Sequence, residues 1–340
     1  MHPEHWISTD QNGLYVKPLN AYIDPMQPVE HAIITHAHAD HARAGHKHVY
    51  ATAATLDIMR IRYGEDHARH CHALDYKQAL TLHEAEITLF PAGHILGSAQ
   101  VLIEYQGTRL VHTGDFKRQA DSTCTPFEAV KCDVFVTEAT FGLPVFQHPP
   151  IEQEAAKLLH SLNLLNQRCH LVGVYALGKC QRLIQAMRAL GYHKPIYLHG
   201  ALVKLCKLYQ KYNVDLGELA EVANVTNLKS LAGEIVLAPP SALQDRWSRK
   251  LPNVMTAMAS GWMQIRARSK QRRAELPLII SDHSDWQDLL NTIREVNPTE
   301  VWVTHGREQA LVHAAEAMGY KAKALSLVGY SEEQSGEAES

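Results

Sequence analysis

The stretch His36-Ala-His38-Ala-Asp40-His41 places four metal-ligand side chains within six residues. His36, His38 and Asp40 stand two apart, and His41 follows directly. The preceding residues, His31-Ala-Ile-Ile-Thr35, are apolar and β-branched and predict a buried strand. A strand feeding a tight loop lets alternate side chains converge on one point while His41 turns to a second. Imidazole together with carboxylate suits zinc, manganese or iron. The competing reading is a His-rich surface loop, and three patterns downstream disfavour it.

Phe90-Pro-Ala-Gly-His94-Ile-Leu-Gly-Ser98 follows a strand pattern and sets His94 in a glycine-flanked turn. Val111-His112-Thr-Gly-Asp115 ends a strand with Asp115 just past a glycine, and Val303-Thr-His305-Gly306 ends one with His305 just before a glycine. Each puts a ligand-type side chain at a strand end, where a rigid sheet positions the loop. Singly each is weak, since a histidine after a strand is more often structural. Together with the opening run they supply seven ligands for two metal ions: His36, His38, Asp40, His41, His94, Asp115 and His305. His112 is read as structural and buried.

The chain has 340 residues, enough for a large core and two domains, with 46% hydrophobic and 20% charged residues. No apolar run approaches the roughly 18 to 20 residues that span a membrane. The N-terminus shows no secretory pattern. Six cysteines without a C-x-x-C pair fit reduced thiols, so a cytoplasmic protein is expected. A net charge of −3 argues against coating of nucleic acid through bulk charge. Locally, Arg246 to Arg273 carries eight Lys or Arg and no Asp or Glu. That stripe reads equally as a phosphate contact and as a solvated helix face. The acidic tail 331–340 is expected to be disordered.

Strand patterns fall at Gly13–Val16, His31–Thr35, Val49–Ala51, Ala85–Pro91, Ala99–Tyr105, Arg109–Thr113 and Val134–Thr137, with helices at Ala53–Tyr63 and near Pro126–Val130. A proline-rich passage, Leu143 to Pro150, reads as a linker. Helix, strand, loop and helix follow at Ile151–Leu165, His170–Tyr175, Ala176–Lys179 and Gln181–Leu190. Strand character returns at Leu278–Ile280 and Val301–Thr304, around a helix Trp286–Val296.

His-x-His-x-Asp-His, a Gly-His turn and Thr-Gly-Asp together resemble the metallo-β-lactamase fold superfamily. The late Ser-Asp-His283 and Thr-His305-Gly elements resemble its β-CASP nuclease branch. Tyr175-Ala-Leu-Gly-Lys-Cys-Gln-Arg182 and Met258-Ala-Ser-Gly-Trp-Met-Gln-Ile-Arg266 look more narrowly like bacterial ligase-associated DNA exonucleases, and the chain also resembles mRNA 3′-end processing factors. The resemblance implies an α/β fold, a metallo-β-lactamase αββα sandwich with an inserted α/β β-CASP domain. It divides the chain into 1–142 and 277–330 for the sandwich, 143–276 for the insert, and the tail.

It also implies roles. His36, His38 and His94 would hold one metal, Asp40, His41 and His305 the other, zinc or manganese, with Asp115 between. Asp24 would support the site from behind the ligands. Asp40, Glu138 and His283 would act in catalysis, Glu138 orienting a ligand or proton carrier and His283 meeting the scissile phosphate or protonating the leaving oxygen. Capping of the helix near Asp285 is the structural alternative for His283. DNA-cleaving eukaryotic members usually lack a histidine at the position of His305, whereas RNA-processing members have one.

Gly173-Val-Tyr-Ala-Leu-Gly178-Lys179-Cys180 nearly matches a phosphate loop, but Cys180 replaces the Mg²⁺-binding hydroxyl residue, so an ATPase is disfavoured. Lys179 at a helix start is expected to contact a phosphate. Trp262 is expected to stack a base or to pack in the core, and Ser98 and Arg266 complete the expected substrate contacts. The expected activity is a two-metal phosphodiesterase, a DNA exonuclease on single strands or ends acting in DNA repair. It would bind DNA in preference to RNA, beside a DNA ligase and helicase, with no membrane partner. The alternative is an RNA-processing ribonuclease. A thioester or lactam hydrolase of the same fold is disfavoured by the insert and the basic stripe, a flavo-diiron oxidoreductase by His38, and a non-catalytic scaffold by the intact ligands.

Overall fold

A computed structural model describes residues 1–271 and 274–325, so the end of the basic stripe at Arg273 and the acidic tail lie outside the described residues. Two compact units divide the described residues, one built from 1–147 with 283–325, the other from 148–282.

The first unit opens with a six-stranded sheet: β1 (Ile7–Asp10), β2 (Gly13–Val16), β3 (Ala21–Ile23), β4 (His31–Ile33), β5 (His46–Ala51) and β6 (Ala68–Ala73), side by side in that order. Helix α1 (Ala53–Tyr63) joins β5 to β6. Thr52 caps it, accepting from Thr55 N–H at 3.2 Å and donating to Gly97 O at 2.7 Å. A second sheet begins with β7 (Ala79–Leu82), β8 (Ala85–Pro91), β9 (Ala99–Tyr105), β10 (Thr108–His112) and β11 (Val134–Ala139).

The second unit then intervenes. Its strands β12 (His170–Gly173), β13 (Ile196–Leu198), β14 (Leu219–Glu221), β15 (Ile235–Ala238), β16 (Met255–Ala259) and β17 (Leu276–Leu278) form one parallel sheet, ordered β14-β13-β15-β12-β16-β17. Its helices are α2 (Ile151–Leu164), α3 (Lys179–Ala189), α4 (Gly200–Lys211) and the short α5 (Arg266–Gln271). The β12-loop-α3 step puts Lys179 past a strand's carboxyl end, the usual ligand edge of such sheets.

The chain returns to the first unit through α6 (Trp286–Val296), β18 (Glu300–Gly306), α7 (Glu308–Ala317) and β19 (Lys321–Ala324). β18 pairs with β11 and β19, giving the order β19-β18-β11-β10-β9-β8-β7. Side chains alternate across this sheet as the pleat requires. Leu110, Val134, Val136 and Trp302 face a core shared with Leu14, Ile23 and Ile33 of the first sheet. Val111, Phe135, Val301 and Val303 face Leu289, Ile293 and Leu311 of α6 and α7. The result is the expected αββα sandwich with an α/β insert.

The strands read from sequence recur with shifts of a few residues at their ends, and α1 and α6 keep the expected bounds. No helix forms at Pro126–Val130. There the backbone is used as an edge for another strand: Gln100 Nε2 donates to Glu128 O at 2.7 Å, and Glu128 N–H donates to Pro91 O at 3.3 Å. Among the described residues no helix is long and apolar enough to cross a membrane.

Candidate metal centre

β10, β11 and β18 are parallel and β8 shares their direction through antiparallel β9, so their carboxyl ends meet at one edge. β8 delivers His94 there, β10 Asp115, β11 Glu138 and β18 His305. The first sheet delivers His36 to His41 past the end of β4. The seven expected ligands all lie in the first unit. Asp115 Oδ2 lies 3.4 Å from Nε2 of both His36 and His41 and 3.8 Å from Nε2 of His94. His94 Nε2 is 2.9 Å from His38 Nδ1. On the other side, Asp40 Oδ2 is 3.9 Å from His41 Nε2, and the His305 ring centroid is 5.3 Å from that of His41.

Hydrogen bonds set which ring nitrogen faces inward. Asp24 Oδ1 accepts from Thr35 N–H at 2.7 Å, and its Oδ2 accepts from Thr35 Oγ1 at 2.6 Å and from His41 Nδ1 at 2.8 Å. The single Thr35 hydroxyl proton is thereby used, so Thr35 Oγ1 accepts from His36 Nδ1 at 3.0 Å. Both His36 and His41 therefore turn an Nε2 toward Asp115. His36 Nε2 is buried with no hydrogen-bond partner among the described residues. A ring lone pair facing a carboxylate oxygen at 3.4 Å is repulsive until a cation sits between them. That arrangement, and the donor set of imidazole nitrogen and carboxylate oxygen, fit divalent transition-metal ions.

Electrostatics agree. Burial, then His41 and His94, pushes His36 well below the usual imidazole range, the neutral form that ligates. Burial, then His41, does the same to His305. Burial opposes charge on His41, but Asp115 and Asp40 outweigh it and raise that ring well above its usual range. Asp115 resists its own burial because His41 and His283 hold its carboxyl well below the ordinary value. The site concentrates anionic oxygen and takes positive charge. Two of its residues occupy left-handed backbone, Asp24 at φ 45° and His305 at φ 54°. Such conformations persist at a cost where the surroundings hold them.

His283 adjoins the centre. Its Nδ1 lies 3.0 Å from Glu138 Oε2 and 3.9 Å from Asp115 Oδ2. Glu138 is buried, accepts from Phe116 N–H at 2.8 Å and from Thr140 Oγ1 at 2.5 Å, and sits where the β11–β18 register slips between Thr137 and Ala139. Such an irregularity re-aims a side chain. Asp285, not His283, caps α6, accepting from Asp288 N–H at 3.0 Å. His112 is buried as expected, its Nδ1 accepting from Gly114 N–H at 3.1 Å.

The expected substrate contacts fare differently. Lys179 is 8% exposed, its Nζ 3.2 Å from Asp282 Oδ1 and 4.3 Å from the Tyr175 ring centroid. The loop before it is filled by its own chain, Gly178 N–H donating to Gln181 Oε1 at 2.9 Å. A buried ammonium already paired with a carboxylate is not the open phosphate contact its position in the sequence implied. Ser98 is also buried, its Oγ accepting from the N–H groups of His94 and Ile95 at 3.1 and 3.2 Å, so it shapes the His94 turn. Arg266 is exposed at the start of α5. Trp262 is half-buried, with the Arg268 guanidinium 4.4 Å from its ring centroid. Thr35 and Thr140 escaped the sequence reading, since a lone threonine beside an acid or histidine carries no motif.

Comparison with known proteins agrees with this geometry. Residues 6–164 match a family described as the beta-lactamase superfamily domain, and residues 277–325 match the Zn-dependent metallo-hydrolase RNA specificity domain. The chain is 29% identical over 324 residues to a protein named probable DNA ligase from Opitutus terrae, covering 94% of this chain and 31% of that one. It is 27% identical to cleavage and polyadenylation specificity factor subunit 3 of Dictyostelium discoideum, covering 74% and 39%, and 27% identical to an RNase J-like protein of Methanocaldococcus jannaschii, covering 54% and 50%. The chain thus spans about a third of the length of the first of these relatives. A protein of unknown function from Enterococcus faecalis V583 shares the fold, with a TM-score of 0.57 at 12% identity over 89% of this chain and 80% of that one.

Proposed function

Because the chain belongs to the metallo-β-lactamase superfamily, in its β-CASP branch, we propose that it is a two-metal phosphodiesterase that degrades DNA from an end and serves DNA repair. The DNA assignment is carried by the likeness to the protein named probable DNA ligase, which extends over 94% of this chain. A DNA ligase and a helicase are the functional neighbours this reading expects.

His36, His38 and His94 would hold one divalent cation and Asp40, His41 and His305 the other, with Asp115 between. When bound, the pair supplies Lewis acidity to the phosphodiester and an acidified water for attack. The protein's own groups do the rest. Asp24 keeps the His41 proton on Nδ1, and Thr35 does the same for His36. Glu138, anchored by Phe116 N–H and Thr140 O–H, steadies the imidazolium form of His283. The Nε2–H of that ring then protonates the departing oxygen, a general-acid contribution of about 10² to 10⁴-fold. Trp262 stacks a base, and Arg266 meets backbone phosphate.

RNA processing is the second reading. It is favoured by the match of residues 277–325, which include His305, to an RNA specificity domain. One experiment separates the two: end-labelled single-stranded DNA, duplex DNA and RNA of one sequence, with Mn²⁺ or Zn²⁺, against Asp40→Ala. Progressive metal-dependent shortening of DNA supports the proposal. Cleavage of RNA alone reverses it, and no metal-dependent cleavage of any substrate removes both readings.

A further inference from the structure

A second group of histidines lies at the far end of the first sheet. β4, β5 and β6 run parallel in a register that sets His31 beside His48 and His48 beside His70. His31 opens β4, whereas the chain leaves the opposite end of that strand toward His36. The rings form a continuous stack. His31 lies on His48 at 4.8 Å and 12°, His48 on His70 at 4.8 Å and 24°, and His72 on Tyr50 at 4.5 Å and 12°, while His83 meets His31 edge-on at 5.3 Å.

The closest polar approach in the stack is His48 Nδ1 to His72 Nε2, at 3.0 Å. Two imidazole nitrogens bound tetrahedrally at about 2.0–2.1 Å stand roughly 3.3 Å apart. The pair needs to open by only a few tenths of an ångström. β6 is the edge strand of the sheet, and both rings are only half-buried, so an ion and its waters can reach them. Burial, then His48 and His70, lowers His72 from its ordinary imidazole range, which favours the free base at neutral pH. None of the stacked residues carries a carboxylate, which disfavours magnesium, calcium and manganese.

We propose that His48 and His72 form a peripheral binding site for a borderline transition-metal cation (zinc, copper or nickel), with water completing the coordination. The site is independent of the nuclease reading and would pin edge strand β6 to β5. The test is equilibrium dialysis of the full chain against ZnCl₂, with bound zinc counted by elemental mass spectrometry and folding followed by circular dichroism. His48→Gln and His72→Gln are each expected to bind one equivalent fewer than the parent, and His83→Gln the same as the parent. The loss is expected again in an Asp115→Ala background, where the catalytic centre is impaired, which separates this site from that one. Equal zinc content in the parent and in folded His72→Gln, in both backgrounds, would overturn the proposal, whatever becomes of His48→Gln.

Discussion

Asp24 Oδ2 and His41 Nδ1 stand 2.8 Å apart, and the same carboxylate also takes both the backbone N–H and the hydroxyl of Thr35. One buried acid thus sets the tautomers of two metal-facing rings. Asp24→Asn leaves one acceptor oxygen for three donors and is expected to weaken metal affinity about 10- to 100-fold. Chelator competition measures this, and unchanged affinity would show that His41 needs no such support.

His283 and Glu138 act as a pair in the proposed chemistry. His283→Gln is expected to lower kcat about 10² to 10⁴-fold with metal content unchanged. Glu138→Gln should give part of that loss. A substrate whose leaving group is a sulfur needs no protonation and should restore much of the rate in His283→Gln. Failure of that rescue, with metals in place, would remove His283 as the proton donor.

Gly114 has a φ of +55°, and a Cβ there would lie 2.7 Å from Thr35 Cβ and Oγ1. Gly114→Ala therefore strains the backbone beside Asp115 and pushes on the residue that anchors Asp24. A loss of about 1–3 kcal/mol is expected, measured by urea unfolding, along with weaker metal binding. A variant as stable as the parent would mean that the strand ends yield more than the packing implies.

His46 is 1% exposed, its Nδ1 accepts from Val29 N–H at 3.2 Å, and burial pushes its imidazole down to about 4. The folded value lies below the unfolded one of about 6.5, so the stability from keeping this ring neutral is full above pH 6.5 and is lost as pH falls toward 4. The loss amounts to roughly 3 kcal/mol. His46→Gln should narrow the gap in unfolding free energy between pH 7 and pH 4.5. A parent and variant with parallel pH profiles would show that this ring does not titrate as described.

Much of the centre was legible because its signals are local. His36 to His41 lie within one loop, His94 and Asp115 each follow an apolar strand past a glycine, and His305 closes such a strand just before one. The misreadings share the opposite cause. Lys179 finds Asp282 across a hundred residues of chain, and no local pattern announces that pairing. Pro126–Val130 looks helical alone, yet its backbone is claimed by Gln100 and Pro91. Ser98 resembles a loop residue awaiting a ligand until the turn it closes is seen.

The position of β18 bears on how the protein is made. Synthesis delivers His36 through Asp115 first, while His305 follows only after the whole 148–282 unit has been translated. Until then β11 has no partner on that side, an open edge of the kind that invites mispairing. A chain still short of β18 lacks His305, the residue proposed to complete the second cation's ligands. The candidate metal centre is therefore completed only after the whole 148–282 unit has left the ribosome.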